Sequence, residues 1–205
     1  MTASPLPDDV IDAIASVDDR LDAVRRRRPD VRKHAQGSAE ALFLPVDDAA
    51  FPVAERWLVA AFATRLTADD ATAAFYAERA GEAAPDEAGI VIAEAARTAA
   101  AGPYGRYAEP GLRDEDAEGP RLRAEDLDPG IAPRLAAALE HAHLLTHRLR
   151  ETDGAAHDRL LDAGWSVDGI VTLSQLIAFL AFQQRVAAGL RVLAGSSAAA
   201  SEAAA

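Results

Sequence analysis

A nearly all-apolar segment close to the C-terminal end constrains the fold more than any other feature. It reads VDGIVTLSQLIAFLAFQQRVAAGLRVL over residues 167–193. As a helix it presents large apolar side chains on most sides, so we expect burial on nearly every side, within one subunit or between subunits. Gln175, Gln183, Gln184 and Arg185 interrupt the run, which favours a buried helix or an interface over a membrane span.

The composition predicts an all-α protein. Half of the 205 residues are apolar, alanine dominates that half, and β-branched and aromatic residues are sparse. Such a composition favours helices that meet through small side chains. Apolar residues at helical spacing predict one helix over 8–28, ended by Pro29, and three more over 53–66, 68–79 and 87–100.

The chain divides into three predicted regions. Residues 1–50 form an N-terminal helical arm with an irregular second half. Residues 51–195 form the main domain, which a long glycine- and proline-rich loop over 101–130 interrupts. The low-complexity segment 196–205 is expected to be a disordered tail.

Boundary residues in the C-terminal half predict where its helices begin and end. A helix is expected over 134–150. Thr152 or Asp153 caps a short helix that Gly164 ends, and Ser166 caps the long apolar helix.

Charge and cysteine content exclude several classes of function. The net charge of −12 argues against binding to nucleic acid or to anionic membranes, which need a cationic surface. The absence of cysteine removes disulfides, thiolate metal sites and thiol-based catalysis. The N-terminal sequence MTASPLPDD does not resemble a signal peptide, so we expect a cytoplasmic protein.

Glu140, His143 and His147 are the strongest candidates for a catalytic site. Their spacing puts them on one face of a helix, beside its apolar face and thus at the edge of the core. A carboxylate beside imidazoles can exchange protons near neutral pH. The alternative is local hydrogen bonding on a half-exposed helix. Metal binding by the three is a weaker idea, since a di-iron bundle needs a second Glu-x-x-His motif that the chain lacks; we predict no metal and no cofactor.

The remaining histidines are predicted with different roles. His157 is the next catalytic candidate, although a histidine in this position is also typical of a protein surface. His141 falls on the same side of its helix as Arg134 and Arg148, and we expect it in solvent. His34 is expected on the surface.

Two groups of residues are candidates for binding a substrate. Tyr104, Arg106 and Tyr107 lie between glycines at the start of the long loop, where they either line a pocket or pack the loop onto the domain. Small and polar residues form a stripe along the long apolar helix, at Ser174, Ala178, Ala181 and Arg185. The stripe either lets another helix approach closely or leaves room for a ligand, with Arg185 at its end.

Several segments together resemble the carboxymuconolactone decarboxylase and alkylhydroperoxidase D-like superfamily. The motifs are GPYGRY, LEHAHLL and SQLIAFLAFQQRVAAGL, with AFPVAERWLVAAFATRLT, whose Glu55-Arg56 pair is similar to one in the superfamily's leading helix. The resemblance covers residues 51–193 and is strongest over 134–193. It implies an all-α helical bundle that assembles into homo-oligomers, commonly trimers or hexamers.

The resemblance also implies which mechanism is absent. The superfamily's peroxidase branch uses a Cys-x-x-Cys pair, a following histidine and an upstream glutamate. Glu140 matches that glutamate and His157 lies close to the position of that histidine, but residues 150–156, where the pair should fall, contain no cysteine. A thiol peroxidase (peroxiredoxin) cycle is therefore excluded. The decarboxylase branch works by acid–base chemistry without thiols.

Two functions are compatible with these observations. In the first, the chain is an enzyme in which Glu140 and a nearby histidine move protons on an organic acid or lactone, in a decarboxylation or related turnover. Arg185 or Arg106 would then bind the carboxylate of this small-molecule substrate. In the second, the chain is a catalytically silent oligomeric binding or partner protein that kept the superfamily's fold.

Overall fold

All regular elements of the described residues are helical. The computed structural model describes residues 6–202, with side chains through Ser196, and contains one isolated bridge between Gly105 and Ala117 outside its helices. The helices are α1 Val10–Ala15, α2 Asp19–Arg25, α3 Pro29–Phe43, α4 Val53–Arg65, α5 Ala71–Ala83, α6 Pro85–Thr98, α7 Pro133–His147, α8 Gly154–Asp162 and α9 Val167–Glu202, with 3₁₀ turns at Pro110–Glu115, Ala124–Asp126 and Leu149–Glu151. The all-α prediction is confirmed, while the superfamily's own arrangement stays a prediction.

Helix α4 lies at the centre of the fold. Residues 56–64 are buried without interruption, and the helix packs against α5, α6, α7 and α9. The buried Arg56 is compatible with this position because it donates hydrogen bonds to the carbonyl oxygens of Phe51 and Leu42, both at 2.7 Å. Leu42 is in the last turn of α3, where carbonyl groups lack partners within the helix. Arg56 therefore ties the end of α3 to the core.

Helix α9 is far less buried than its sequence predicts. Only 33% of its most apolar window lies inside the fold, and Val171 and Phe182 keep 50% and 40% of their surface exposed. The prediction that α9 is buried on nearly every side is therefore wrong for a single chain. Residues 167–196 are long and apolar enough to cross a membrane, with a mean hydropathy of 1.4, although core helices of soluble proteins also meet this criterion.

The N-terminal region contains three helices where the sequence predicts one helix and an irregular segment. The predicted helix over 8–28 is interrupted at Ser16, which adopts a left-handed conformation with φ of 52°. Pro29 begins α3 instead of ending a helix, and α3 continues without a break through Gly37. Proline suits the first helical position because the N–H group it lacks would have no partner there. Apolar residues of α1 and α3 belong to the same core as α4.

The predicted boundaries around α8 and α9 are confirmed. The Asp153 carboxylate accepts a hydrogen bond from the N–H group of Ala156, and Gly164 follows α8 with φ of +90°. The Ser166 hydroxyl accepts a hydrogen bond from the N–H group of Gly169 at the start of α9. The backbone of α9 stays helical to Glu202, through most of the segment predicted as a disordered tail; residues 203–205 lie outside the described part.

Candidate functional site

Helix α7 buries four polar residues: Glu140, His141, His143 and His147. The helix is enclosed because α4, α8, α9 and the turn at Ala124–Asp126 all pack against it. Two of the four, Glu140 and His143, border a small polar pocket. At the edge of the core, where the sequence places the trio, the structure thus has a pocket beside these two residues.

The polar pocket has a volume of about 110 Å³ and an ionic lining. Four arginines, three carboxylates, one histidine and two leucines form its wall. Because one water molecule takes up about 30 Å³ in the liquid, the space accommodates a ligand of only a few heavy atoms. The charged residues of the wall are Arg121, Arg123, Arg148, Arg159, Glu140, Glu151 and Asp153.

Both oxygens of Glu140 are committed to neighbouring donors. Oε1 accepts hydrogen bonds from Arg123 Nη1 at 3.0 Å and from Arg159 Nε at 2.8 Å. Oε2 accepts one from the N–H group of Ala124 at 3.0 Å. Since these partners use the carboxylate, it is poorly placed to exchange a proton with a ligand. Its geometry suits the positioning of the two arginines at the rim of the pocket.

His143 has the opposite character. Its side chain is buried, with 2% of the residue exposed, and its Nε2 atom has no hydrogen-bond partner. Burial lowers the pKa of His143 to about 4, and the positive charge of Arg148 and the neighbouring His147 act in the same direction. The imidazole is therefore neutral at pH 7 and can accept a hydrogen bond. Its low pKa makes it a weak base until an anion bound beside it raises that pKa.

His147 lies outside the polar pocket. Its ring centroid is 5.0 Å from that of His143 and 6.2 Å from that of Tyr104. Burial lowers the pKa of His147, and a hydrogen bond with the backbone of Leu66 partly opposes this effect. His147 thus contacts His143 but, unlike Glu140 and His143, does not border the polar pocket.

His141 is buried, which contradicts the prediction that it lies in solvent. Its Nε2 atom is 3.3 Å from the hydroxyl oxygen of Ser174 on α9, and burial lowers its pKa to about 4. The prediction failed because α7 is enclosed by helices on more than one side, whereas its sequence pattern shows one apolar face. Ser174 lies in the interior of α9, where the helix uses the backbone N–H group, so that group is not free to stabilise a developing oxyanion.

His157 and the predicted loop residues are not in the wall of the polar pocket, although the N–H group of Arg106 donates a hydrogen bond to the wall residue Glu151. His157 is exposed, with its ring 5.9 Å from that of His141. Arg106 pairs with Glu118 in solvent.

The two loop tyrosines pack the loop onto the domain. The Tyr104 ring lies against Gly119 and near His147. The guanidinium carbon of Arg150 lies over the Tyr107 ring, 3.9 Å from the centroid of the ring. Neither ring is in the wall of the polar pocket. Of the two alternatives for these tyrosines, the structure thus shows the one in which they pack the loop onto the domain.

The four arginines of the polar pocket were not predicted from the sequence as site residues. Arg121 and Arg123 come from the loop, Arg148 from the end of α7 and Arg159 from α8. No motif joins them in the sequence, because only folding brings these segments together.

An apolar groove of about 630 Å³ runs between α4, α7 and α9. All four residues of the predicted small and polar stripe are in its wall: Ser174, Ala178, Ala181 and Arg185. Arg185 therefore faces the apolar groove instead of the polar pocket. Its Nη1 atom donates a hydrogen bond to the carbonyl oxygen of Ala181 at 2.8 Å.

The residues described by the structure contain no group of three or more His, Cys, Asp or Glu side chains arranged to hold a metal ion. No protein-family model, no curated protein and no solved structure matches the chain. The superfamily resemblance therefore rests on the quoted motifs alone.

Proposed function

We propose that the chain binds a small organic acid anion in the polar pocket and that His143 accepts a proton from it. One observation carries this proposal: a buried, neutral imidazole with an unpartnered Nε2 atom borders a pocket with four arginines in its wall. An unpaired buried nitrogen costs free energy, and a ligand that donates a hydrogen bond to it removes that cost.

Three arginines supply the means of holding the carboxylate. The side chains of Arg121, Arg123 and Arg159 are 56%, 45% and 40% exposed, and each makes an ion pair with a pocket carboxylate through one nitrogen. A guanidinium has five N–H donors and binds carboxylates through two parallel hydrogen bonds. Arg148 differs because Glu151 and the carbonyls of Gly119 and Pro120 already use its nitrogens.

Proton abstraction from an organic acid or lactone is the reaction class that this arrangement supports. The arginines bind the carboxylate and stabilise negative charge that develops as the proton leaves. Neutral His143 receives the proton. Decarboxylase-like chemistry is also what the superfamily resemblance implies, and a thiol peroxidase cycle is not proposed because the chain has no cysteine. We propose a cytoplasmic location on the acidic composition.

The second candidate function is that of a catalytically silent oligomeric partner protein. The exposed apolar face of α9 favours it, since monomeric soluble proteins rarely expose large apolar patches. The two candidates differ in whether the polar pocket turns a ligand over.

The experiment compares His143→Gln with the matched control His157→Gln, which alters an exposed histidine. Binding of acetate and malonate is followed by NMR, and turnover by exchange of their C–H protons for deuterium in D₂O. We expect His143→Gln to retain binding and to lose turnover by about 10²–10⁴-fold, as for removal of a general base. Arg121→Met should weaken binding itself. If none of the probes shifts the signals of the pocket at millimolar concentration, the proposal fails.

A further inference from the structure

Helix α9 exposes a row of six residues that we call the α9 stripe. It shares only Ala178 and Arg185 with the small and polar stripe described above. Its members are Val171, Gln175, Ala178, Phe182, Arg185 and Gly189, and all six are exposed. Steps of four and three residues alternate along it, which keeps the row on one side of the helix in the pattern of a coiled-coil seam. Arg185 is the only charged residue between positions 169 and 190.

The α9 stripe is complementary to itself in the antiparallel direction. It reads large, polar, small and then again large, polar, small. When a second α9 lies antiparallel with the two-fold axis beside Leu180, Val171 meets Gly189 and Phe182 meets Ala178. Each large side chain thus opposes a small one.

The polar members of the stripe also match. The same alignment places the Arg185 guanidinium opposite the Gln175 amide, whose oxygen accepts hydrogen bonds. The complementarity between the two copies ends beyond these positions, because the apolar Val192 of one copy would face the carboxylate of Asp168 in the other.

Two grooves flank the middle of the stripe. The apolar groove of about 630 Å³ lies on one side, and a second groove of about 570 Å³ lies on the other, between α9 and the end of α3. Ala178 belongs to the wall of both. A Phe182 ring from a second copy, lying over Ala178, therefore has space to insert, as in the packing of ridges into grooves.

We propose that the α9 stripe is the interface of a homodimer in which two copies pair antiparallel about position 180, and that Phe182 of each copy closes a groove of the other. An isologous contact of this kind is self-complementary and closed, as two-fold symmetry requires. The proposal goes beyond the function proposed for the polar pocket, whose wall contains no residue of α9 and so none of the stripe.

A lipid bilayer is the competing occupant of this face. The pattern of the stripe favours a protein, because fluid lipid chains do not respond to an alternation of large and small side chains. A bilayer would also surround Arg185 and Gln175 in the middle of the apolar face, where polar groups are costly.

The first test measures the dimer dissociation constant of full-length variants by sedimentation equilibrium. Phe182→Ala leaves a hole opposite Ala178, and Ala178→Phe sets two phenylalanines against each other. Each should weaken the dimer by about tenfold or more. The double variant Ala178→Phe/Phe182→Ala restores one large and one small residue at each contact and should recover most of the affinity. Leu161→Ala on α8 is the control, since Leu161 is exposed to 45% and lies off the stripe.

The second test uses the absence of cysteine from the chain. Cysteines form a disulfide when their Cα atoms lie within about 7 Å. Antiparallel pairing brings position 178 of one copy to position 182 of the other, whereas two residues at 178 are offset along the axis by about 6 Å. A mixture of Ala178→Cys and Phe182→Cys chains should therefore cross-link faster than either alone.

Three outcomes would overturn the proposal. The first is a wild-type chain that stays monomeric at high concentration. The second is a double variant no better than the single ones, or Ala178→Cys chains that cross-link with themselves as readily as with Phe182→Cys. The third is flotation of the monomer with phosphatidylcholine vesicles that Phe182→Ala abolishes, which assigns the face to a membrane.

Discussion

Replacing Glu151 with glutamine should destabilise the fold in a manner that depends on pH. Hydrogen bonds from Arg148, and from Arg121 in addition, lower the pKa of Glu151 to about 2 from its ordinary value of 4.5. The Glu151 side chain is 15% exposed and accepts from Arg148 Nε at 2.8 Å and from Arg121 Nη1 at 2.7 Å. It therefore anchors both arginines at the polar pocket.

The magnitude follows from the pKa difference. A fall from 4.5 to about 2 corresponds to about 3 kcal/mol of folding free energy. Arg121 is largely exposed, and solvent screens its share, so we expect about 2 kcal/mol. A carboxyl whose pKa is lowered by folding stabilises the native state fully above its unfolded pKa. That stabilisation is lost as the pH falls through the folded pKa.

The assay is urea unfolding of wild type and Glu151→Gln, followed by circular dichroism between pH 7 and pH 2.5. The difference in unfolding free energy should be about 2 kcal/mol at pH 7 and should decline below the ordinary carboxyl pKa of 4.5. A minor part should remain at pH 2.5, because the folded carboxyl, with a pKa of about 2, is then still partly ionised. Glu118→Gln, in an ion pair whose members are both exposed, is the control and should change stability little. A difference that does not vary with pH would refute the reasoning.

Three further predictions concern stability. Tyr76→Phe removes the donor to Gln183 Oε1, a 2.7 Å hydrogen bond in the core, and should cost about 1–3 kcal/mol in thermal or urea unfolding. Gly119→Ala should lower the melting temperature, because a Cβ atom there overlaps the ring of Tyr104. Gly37→Ala, in the middle of α3 with no neighbouring atom within 4 Å, should instead raise stability by about 0.5–1 kcal/mol.

Helix boundaries were predictable where a residue has one local role. The capping side chains of Asp153 and Ser166 and the left-handed Gly164 mark boundaries that the structure shows. Pro29 was misinterpreted because proline is compatible both with the end of one helix and with the first turn of the next. A proline alone does not indicate which of the two occurs.

The central position of α4 could not be predicted from hydropathy. The arginine at position 56 suggests an exposed side, yet its guanidinium is buried because backbone carbonyls from two other segments accept its hydrogen bonds. Helix α9 presents the reverse case, since its apolar sequence continues onto a face that one chain leaves exposed. Hydropathy records how a side chain interacts with water and does not specify which partners folding supplies.

The candidate site was predictable only in its α7 half. Spacing along one helix brought Glu140 and His143 to the edge of the core, where the polar pocket lies. The commitment of Glu140 to Arg123 and Arg159 depends on the loop and on α8. No pattern within α7 therefore indicates that Glu140 positions arginines instead of exchanging protons.

Directional bonds fix the axial register of α9. Alanine-rich helix surfaces are smooth, and a slide of one turn, about 5.4 Å, would leave much of their contact intact. The bonds from Tyr76 to Gln183, from Gln184 to the carbonyl of Thr64 and from Arg191 to Asp70 tolerate no such slide. A few polar side chains thus determine which residues of a long apolar helix point outward. Substitutions at these positions should therefore change which part of α9 forms the outer surface of the protein.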